Sequence, residues 1–300
     1  MGVSATIVVE AGSRETALRG AAAAYERMAE IEQVASDYRP GSELMRLCGE
    51  APIGEWHPVS HDLAELLSVA RDVSQRTDGA FDVTVGPAVK LWREARATGQ
   101  MPGRARVRAA LELIGWEAVE VERSPPRVRL LKAGMTLDMG GIAKGYAARE
   151  AGLVLEELGL TRCLVALAGD VYAGAAPSGT GGWRIQVRSD QSERVVGTLV
   201  VAHACVSTSG DAEQFVEIMG IRYSHIVDPR TGVGVVGGAV VTAIGDDGAY
   251  VDAAGTAGSV QGTGGLGNAL IQGRGVTLIV HHGSWPLEII GDTRRVRWQD

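Results

Sequence analysis

Helical and strand patterns are distributed unevenly along this chain of 300 residues, and the distribution limits the folds that it can adopt. Apolar residues at helical spacing predict long helices over 15–35 and 61–77, whereas short apolar runs that are typical of strands dominate the second half. Helices segregated from runs of strands favour an α+β fold over a regular succession of βαβ units. Because the chain has no internal repeat and no long polar linker, we expect a single domain over 1–300.

The other predicted elements follow from the same patterns. Helices are predicted over 93–115 and 144–158 and after Asp252, and strands over 3–10, 117–122, 127–131, 163–167, 183–188, 195–202, 239–244, 275–281 and 287–291. The turn residues of 36–52 predict a loop with one short helical turn. Those of 78–92 predict a half-extended segment interrupted by glycines.

Charge and composition exclude several classes of partner. The formal net charge is −7 without a block of like charge, so we expect no nucleic-acid partner, and an anionic ligand would need local positive charge or a metal. No apolar run reaches the ~18 residues of a membrane span. Cys48, Cys163 and Cys205 are too scattered for a disulfide framework or a zinc site, so we expect reduced thiols in the cytoplasm. Removal of a leader ahead of residue 1 would instead indicate an exported protein.

The stretch "LDMGGIAKGYAARE", 137–150, combines a glycine pair with the start of a predicted helix. Gly140 and Gly141 have no Cβ, so a phosphate could approach the backbone and meet the N–H groups that open the helix. Lys144 stands in the first turn, where the helix dipole disfavours a cation unless an anion offsets it. The segment therefore fits a phosphate site, but a tight glycine turn with a solvent-reaching lysine explains it equally well.

The segment "VDAAGTAGS", 251–259, places two oxygen-bearing side chains on one helix face. Asp252 and Thr256 are four residues apart, so their oxygens lie on the same side of a helix. A carboxylate, a hydroxyl and nearby carbonyls form a hard-oxygen set that suits Mg²⁺ better than zinc. The alternative is structural: Asp252 caps the helix and the threonine bonds to the helix backbone.

The segment "YSHIVDPRTG", 223–232, sets a histidine before a strong turn signal. His225 could serve as a general base or contact a phosphate, and Asp228 and Arg230 follow it in the turn. The preceding "VSTSGD", 206–211, offers three hydroxyls that could bind phosphate, although capping of a following helix is the default interpretation.

One of the two phenylalanines lies in a turn-rich stretch, "TDGAFDVTVGP", 77–87. Phe81 is flanked there by Asp82 and Thr84. An aromatic side chain in a loop can form the floor beneath a ring-shaped ligand, but it can equally fill the core. The sequence leaves both interpretations open.

Taken in order, these segments resemble the ApbE family, the FAD:protein FMN transferases. The resemblance extends over nearly the whole chain and rests on "MGVSAT", "SDYRPGSELMRL", "DGAFDVTVGPAVKLW", "LDMGGIAKGYA", "LVALAGDVYAGA", "GGWRIQV", "STSGD", "YSHIVDPRTG" and "VDAAGTAGS". Each motif alone is weak, but their shared order is specific. The resemblance implies an α+β fold of mixed or antiparallel sheets with flanking helices, in which two lobes surround a flavin site.

The resemblance also implies an activity and a set of site residues. Such enzymes bind FAD with Mg²⁺, cleave its pyrophosphate, and transfer FMN to a Thr or Ser hydroxyl of a partner flavoprotein, releasing AMP. The catalytic residues would be His225 and Asp252. The metal ligands would be the Gly141 carbonyl, Asp252, the Gly255 carbonyl and Thr256, and the FAD contacts Met1, Tyr38, Ala80, Phe81, Asp82, Asp138, Lys144 and Ile226.

The chain departs from the family pattern at two positions. Ala168 replaces the first glycine of the usual Gly-Gly-Asp, where a methyl group could crowd the ligand or shift a turn. Cys48 replaces the usual asparagine after "RL", which could remove a hydrogen bond. Two alternatives remain beside the transferase: a protein that binds or stores FAD, and a Mg²⁺-dependent FAD pyrophosphatase that yields FMN and AMP.

Overall fold

The structure is a computed structural model that describes residues 2–189, 195–210, 214–262, 270–282 and 286–299. Its helices are α1 Arg14–Ala35, α2 Glu43–Glu50, α3 His61–Arg76, α4 Gly86–Thr98, α5 Arg104–Leu113, α6 Ala143–Glu157 and α7 Gly248–Gln261. Its strands are β1 Ala5–Val9, β2 His57–Pro58, β3 Val119–Arg123, β4 Pro126–Leu130, β5 Cys163–Leu167, β6 Asp170–Ala173, β7 Trp183–Arg188, β8 Val195–Val201, β9 Ala204–Ser209, β10 Phe215–Ile218, β11 Ile221–Ser224, β12 Val227–Asp228, β13 Val233–Gly234, β14 Val240–Gly245, β15 Thr277–His281 and β16 Glu288–Ile290. No helix in these ranges has both the length and the apolar character needed to cross a membrane.

A seven-stranded sheet in the order β1-β5-β6-β9-β14-β15-β16 forms the centre of the fold, and its neighbouring strands pair antiparallel. Successive side chains of a strand point to opposite faces, so Ala243 joins the core under the helices while Ile244 joins a second core with residues of the paired strands β7 and β8. The helical core holds residues of α1, α3, α6 and α7. The predicted α+β class with antiparallel strands is therefore confirmed.

A third apolar cluster holds α4 and α5 against the short strands β10 and β12. Trp92 lies in this cluster with Ile218 and Val227, and its indole Nε1 donates to the Gly232 carbonyl at 2.9 Å. A cavity of about 760 Å³ is lined both by this unit and by the turns and helices beside the seven-stranded sheet. The single-domain interpretation of the chain stays a prediction.

Three predicted segments differ from the structure in the first half of the chain. The half-extended segment at 78–92 is instead a 3-10 turn, Val83–Val85, followed by α4, because Asp82 caps the turn and proline is favourable in the first turn of a helix. The helix predicted over 93–115 is divided into α4 and α5 after Gly99, which ends α4 in the left-handed conformation at φ 70°. The loop at 36–52 contains the eight-residue α2, capped by Ser42.

Two further corrections concern segments expected to bind ligands. Helix α7 begins at Gly248, where Asp247 caps it, so Asp252 lies inside the helix and does not cap it. The hydroxyl-rich residues from Val206 to Ser209 belong to strand β9, so they neither form a loop nor cap a helix. Their polarity is satisfied within the sheet: Thr208 Oγ1 lies 2.9 Å from Thr242 Oγ1 on β14.

Candidate active site

A close crossing of α6 and α7 sets the geometry of the site. A Cβ added at Gly145 would overlap the carbonyl of Gly248, and one added at Gly248 would overlap the carbonyl of Gly145. The absence of side chains at both positions lets the two helix backbones touch. This contact brings Lys144 of α6 within reach of Asp252 of α7, although 108 residues separate them in sequence.

Lys144 joins two buried carboxylates at this crossing. Its Nζ lies 3.0 Å from Asp170 Oδ2 and 3.3 Å from Asp252 Oδ2, and it donates to the Gly140 carbonyl at 2.9 Å. Burial alone would lower the pKa of Lys144, but the two carboxylates raise it above its ordinary value. Burial, reinforced by Asp170, raises the pKa of Asp252 to about 7 despite the neighbouring ammonium. The cluster contains two carboxyl groups, those of Asp170 and Asp252, and one ammonium group, that of Lys144.

The glycine turn at 140–141 packs directly against Thr256, the second oxygen-bearing residue of α7. A Cβ added at Gly141 would lie 2.8 Å from Thr256 Oγ1 and 3.3 Å from a ring carbon of Phe81. Thr256 Oγ1 also lies 3.3 Å from Ser209 Oγ of β9. The structure thus brings Gly141, Thr256 and Asp252 to the cavity, as the sequence predicts.

The aromatic end of the cavity contains a second charged group. Arg93 Nη2 lies 2.6 Å from Asp37 Oδ2 and 2.8 Å from Asp138 Oδ2, while Asp138 Oδ1 accepts the Gly140 N–H at 2.8 Å. Burial and the neighbouring Asp37 raise the pKa of Asp138 to about 6. The Arg93 guanidinium also covers the ring of Tyr38 at 4.2 Å from its centroid.

The raised pKa of Asp138 predicts a pH-dependent stability. Because the folded-state value of about 6 lies above the ordinary 3.8, protonation favours the folded protein, and this stabilisation is lost as the pH rises through about 6. We expect the contribution to fall by about 1 to 3 kcal/mol between pH 4 and pH 7. Urea unfolding across this range should show a smaller decline for Asp138→Asn. Asp292→Asn is the control, because the pKa of Asp292 is about 2; parallel curves for wild type and Asp138→Asn would contradict the prediction.

His225 lines the same cavity from an exposed position. Its Nδ1 lies 3.0 Å from the carbonyl oxygen of Gln214. A carbonyl can only accept, so this bond requires the proton on Nδ1 and makes Nε2 the proton-accepting nitrogen of the neutral ring. Ile226, the next residue, also lines the cavity.

Ala80, Phe81 and Asp82 line the cavity from the turn before α4, and all three residues are buried. Phe81 is buried in the main core and also lines the cavity, and its role beneath a ligand ring stays a prediction. The carboxylate of Asp82 accepts from Thr84 N, Thr84 Oγ1 and Trp116 N at 2.7 to 2.9 Å. Its hydrogen bonds therefore hold the turn together.

Most predicted site residues meet at one cavity. The cavity-lining members are Tyr38, Ala80, Phe81, Asp82, Asp138, Gly141, Lys144, His225, Ile226, Asp252 and Thr256. Gly255 lies next to Thr256 on α7 but does not line the cavity, and a Cβ there would meet Ser209 Oγ at 3.1 Å. Met1 falls outside the described residues.

Sequence reasoning missed Asp37, Arg93 and Asp170 as site residues. Asp170 is nearly fully buried, with Ser207 Oγ donating to its Oδ1 at 2.6 Å and Lys144 on its other oxygen. Its signal was a carboxylate directly after the glycine of "LAGD". Arg93 follows Val89 of α4 and Val85 of the preceding 3-10 turn at intervals of four residues, and all three line the cavity; the half-extended prediction hid this pattern.

The two departures from the family pattern have different structural settings. Ala168 occupies the turn between β5 and β6 with φ 52°, a left-handed conformation that favours glycine, and it lines the cavity. Cys48 is half-buried on α2, where burial raises the pKa of its thiol and the Leu137 backbone hydrogen-bonds to its sulfur. The thiol therefore keeps one polar contact next to the glycine turn.

Replacement of Ala168 by Gly is expected to stabilise the protein by about 1 kcal/mol, because glycine lacks the Cβ that disfavours the left-handed conformation. Urea or thermal unfolding measures the gain. Gly169→Ala is the matched opposite change and should destabilise, since its Cβ would lie 2.9 Å from the Thr208 carbonyl. A neutral or destabilising Ala168→Gly would show that the turn is not strained at this position.

Comparison with known proteins places the chain in a family. The family model described as ApbE matches residues 1–279. An FAD:protein FMN transferase of Klebsiella pneumoniae (strain 342) is 34% identical over 180 residues, covering 59% of this chain and 55% of that protein. The transferase of Escherichia coli (strain K12) is 29% identical over 207 residues, covering 67% and 59%. The match thus spans less than two thirds of the length of these relatives.

Solved structures agree over almost the whole chain. The ApbE protein of Thermotoga maritima superposes with a TM-score of 0.84 at 28% identity, covering 98% of this chain and 95% of that one. The flavinyl transferase ApbE of Pseudomonas stutzeri superposes with a TM-score of 0.76 at 26% identity, covering 96% and 94%. The resemblance stated from the motifs is confirmed: the chain belongs to the ApbE family.

Proposed function

We propose that this chain transfers FMN from FAD to a Thr or Ser hydroxyl of a partner flavoprotein, in a Mg²⁺-dependent reaction that releases AMP. The observation that carries the proposal is the meeting of Lys144, Asp252, Thr256, Tyr38 and His225 at one cavity of about 760 Å³. This volume lies within the range of small-molecule sites. The printed names of the curated relatives, FAD:protein FMN transferase, support the same reaction.

The donor set at the helix crossing fits a hard divalent cation. No cluster of three His, Cys, Asp or Glu side chains placed to hold a metal occurs in the described ranges, so hydroxyl and carbonyl oxygens would have to complete the set. We assign that role to the Asp252 carboxylate, Thr256 Oγ1 and the carbonyls of Gly141 and Gly255. Two observations support it: the surplus buried carboxylate beside Lys144, and a glycine turn so close to Thr256 that a Cβ would fill the gap.

Phosphoryl transfer mainly requires that the protein position the reacting groups and neutralise their charge. Bound Mg²⁺ would neutralise charge on the pyrophosphate. Lys144, held by three oxygen atoms, supplies a fixed positive charge beside the glycine turn. Tyr38 and Phe81 provide aromatic surface for the rings of FAD, and Asp138 and Ile226 line the same cavity.

His225 is the proposed general base. The acceptor hydroxyl oxygen attacks the phosphorus on the FMN side of the pyrophosphate, and His225 Nε2 takes the hydroxyl proton. A phosphoester bond to FMN forms, the bond between this phosphorus and the bridging oxygen breaks, and AMP leaves with that oxygen. The exposed position of His225 suits this role, because the acceptor is itself a protein.

Two other functions compete with this proposal. A protein that only binds or stores FAD has no need of a base such as His225. An FAD pyrophosphatase would use water in place of the acceptor hydroxyl, and the exposure of His225 is compatible with water as the nucleophile. The first alternative leaves FAD unchanged, and the second yields FMN and AMP without a labelled acceptor.

The deciding experiment incubates the protein with FAD, Mg²⁺ and a candidate acceptor domain, followed by a denaturing gel viewed under ultraviolet light. A fluorescent acceptor band, lost when the target Thr is changed to Val, supports transfer. Release of FMN and AMP without a labelled protein identifies the pyrophosphatase. Unchanged FAD with every tested acceptor contradicts both enzymatic functions, and His225→Asn separates base catalysis from binding.

A further inference from the structure

Arg93 contacts three cavity-lining side chains with one guanidinium group. Its Nη2 lies 2.6 Å from Asp37 Oδ2 and 2.8 Å from Asp138 Oδ2, and its Cζ lies 4.2 Å from the Tyr38 ring centroid. The side chain of Arg93 is 32% exposed, so the group lies at the cavity surface and not in the core. Asp37 and Tyr38 belong to the segment after α1, and Asp138 belongs to the glycine turn. Arg93 therefore joins two parts of the site that are far apart in the sequence.

The Tyr38 ring lies against the Arg93 guanidinium at an exposed position. The residue is 66% exposed, and its backbone N–H donates to the neighbouring Ser36 Oγ at 3.3 Å. An aromatic ring exposed to this extent has freedom to change rotamer. The guanidinium covers one face of the ring, which leaves the opposite face for a planar ligand ring.

Asp138 depends on the same group for its charge and position. Asp37 and Asp138 are neighbouring carboxylates that repel each other when both are ionised, and the guanidinium between them offsets this repulsion. Arginine suits such a place, because its planar fork can pair with two carboxylates while its face stacks on an aromatic ring. The Asp138 carboxylate in turn holds Gly140, next to the proposed metal carbonyl of Gly141.

We propose that Arg93 is a positioning residue for FAD, which holds the Tyr38 ring and the Asp138 carboxylate in the orientation that receives the dinucleotide. The inference rests on the proposed function, because it requires FAD in this cavity. Arg93 acts through Tyr38 and Asp138 and takes no part in the transfer of the phosphoryl group. Its loss therefore weakens FAD binding more than it slows transfer at saturating FAD.

The test is an equilibrium titration of FAD, without acceptor, against the unchanged protein and six variants. We expect Arg93→Ala to raise the Kd for FAD by about ten- to hundredfold. Arg93→Lys should recover only part of the loss, because an ammonium can pair with a carboxylate but cannot stack flat on Tyr38. Tyr38→Leu should weaken binding, and the double variant Arg93→Ala/Tyr38→Leu should bind no more weakly than the weaker single variant.

The control is Arg106→Ala, which removes an ion pair to Glu94, the residue after Arg93 on α4, without touching the cavity. Arg93→Ala/Asp37→Asn guards against misfolding, because it removes one carboxylate together with its partner. A Kd for Arg93→Ala within about twofold of wild type, or additive effects at Arg93 and Tyr38, would overturn the inference. Failure of the unchanged protein to bind FAD would contradict the proposed function as well, so the two failures are distinguishable.

Discussion

Replacement of Lys144 by Met is expected to abolish flavin transfer and to lower the free energy of unfolding by about 3 to 5 kcal/mol. The ammonium lies within 3.3 Å of both Asp170 and Asp252, whose side chains are only 3% and 2% exposed. Its removal leaves two buried carboxylates without a cation, which costs far more than the loss of a surface pair. The positive charge beside the proposed pyrophosphate position is lost at the same time.

A second variant separates the two effects of this change. Lys144→Met/Asp170→Asn removes one carboxylate with the ammonium, so it should regain much of the stability while remaining inactive. Urea unfolding and the acceptor-labelling assay measure the two properties on the same samples. Transfer by the double variant at a rate near wild type would show that Lys144 has only a structural role.

Replacement of Asp252 by Asn or Ala is expected to reduce Mg²⁺-dependent transfer by at least about a hundredfold. Asp252 is the single carboxylate in the proposed metal set, and an amide or a methyl group in its place removes the charged ligand. Asn is the more informative change, because its oxygen can still accept the Gly145 N–H, which lies 3.0 Å from Asp252 Oδ2. The fold should therefore survive while the metal dependence is lost.

The matched control is Asp246→Asn, because Asp246 precedes the same helix but is exposed and pairs with Arg295. Transfer rates are measured over a range of Mg²⁺ concentrations, and Mg²⁺ binding is measured separately by calorimetry. We expect the control to keep the wild-type rate. Full activity of Asp252→Ala, or an unchanged Mg²⁺ requirement, would refute the assignment of Asp252 as a metal ligand.

The parts of the site that sequence could predict are those whose signal is local. Lys144 stands three residues after Gly141, and Asp252 and Thr256 share a helix face, so short segments suggested their chemistry. Asp170 and Arg93 escaped because their roles depend on partners elsewhere in the chain: Lys144 and Ser207 for the first, Asp37 and Asp138 for the second. No local spacing encodes such contacts.

The fold shows the same division between local and distant causes. The long helices α1 and α3 and the strand β5 were predicted within one residue of their bounds, because their apolar spacing is regular. Strand β9 was missed because residues with hydroxyl groups are typical of loops. The hydroxyl groups of Ser207 and Thr208 can be buried because they hydrogen-bond with side chains on β6 and β14. Tertiary contacts thus override local preference there.

The contact between Gly145 and Gly248 has a consequence for how tolerant the site is to change. The separation of the Lys144 ammonium and the Asp252 carboxylate depends on the two touching backbones of α6 and α7. We therefore expect substitutions in the surrounding core to have little effect on the distance between these two groups. We expect the site to be most sensitive to substitution at Gly145 and Gly248, which have no side chain. A single methyl group at either position would force α6 and α7 apart and separate Lys144 from Asp252.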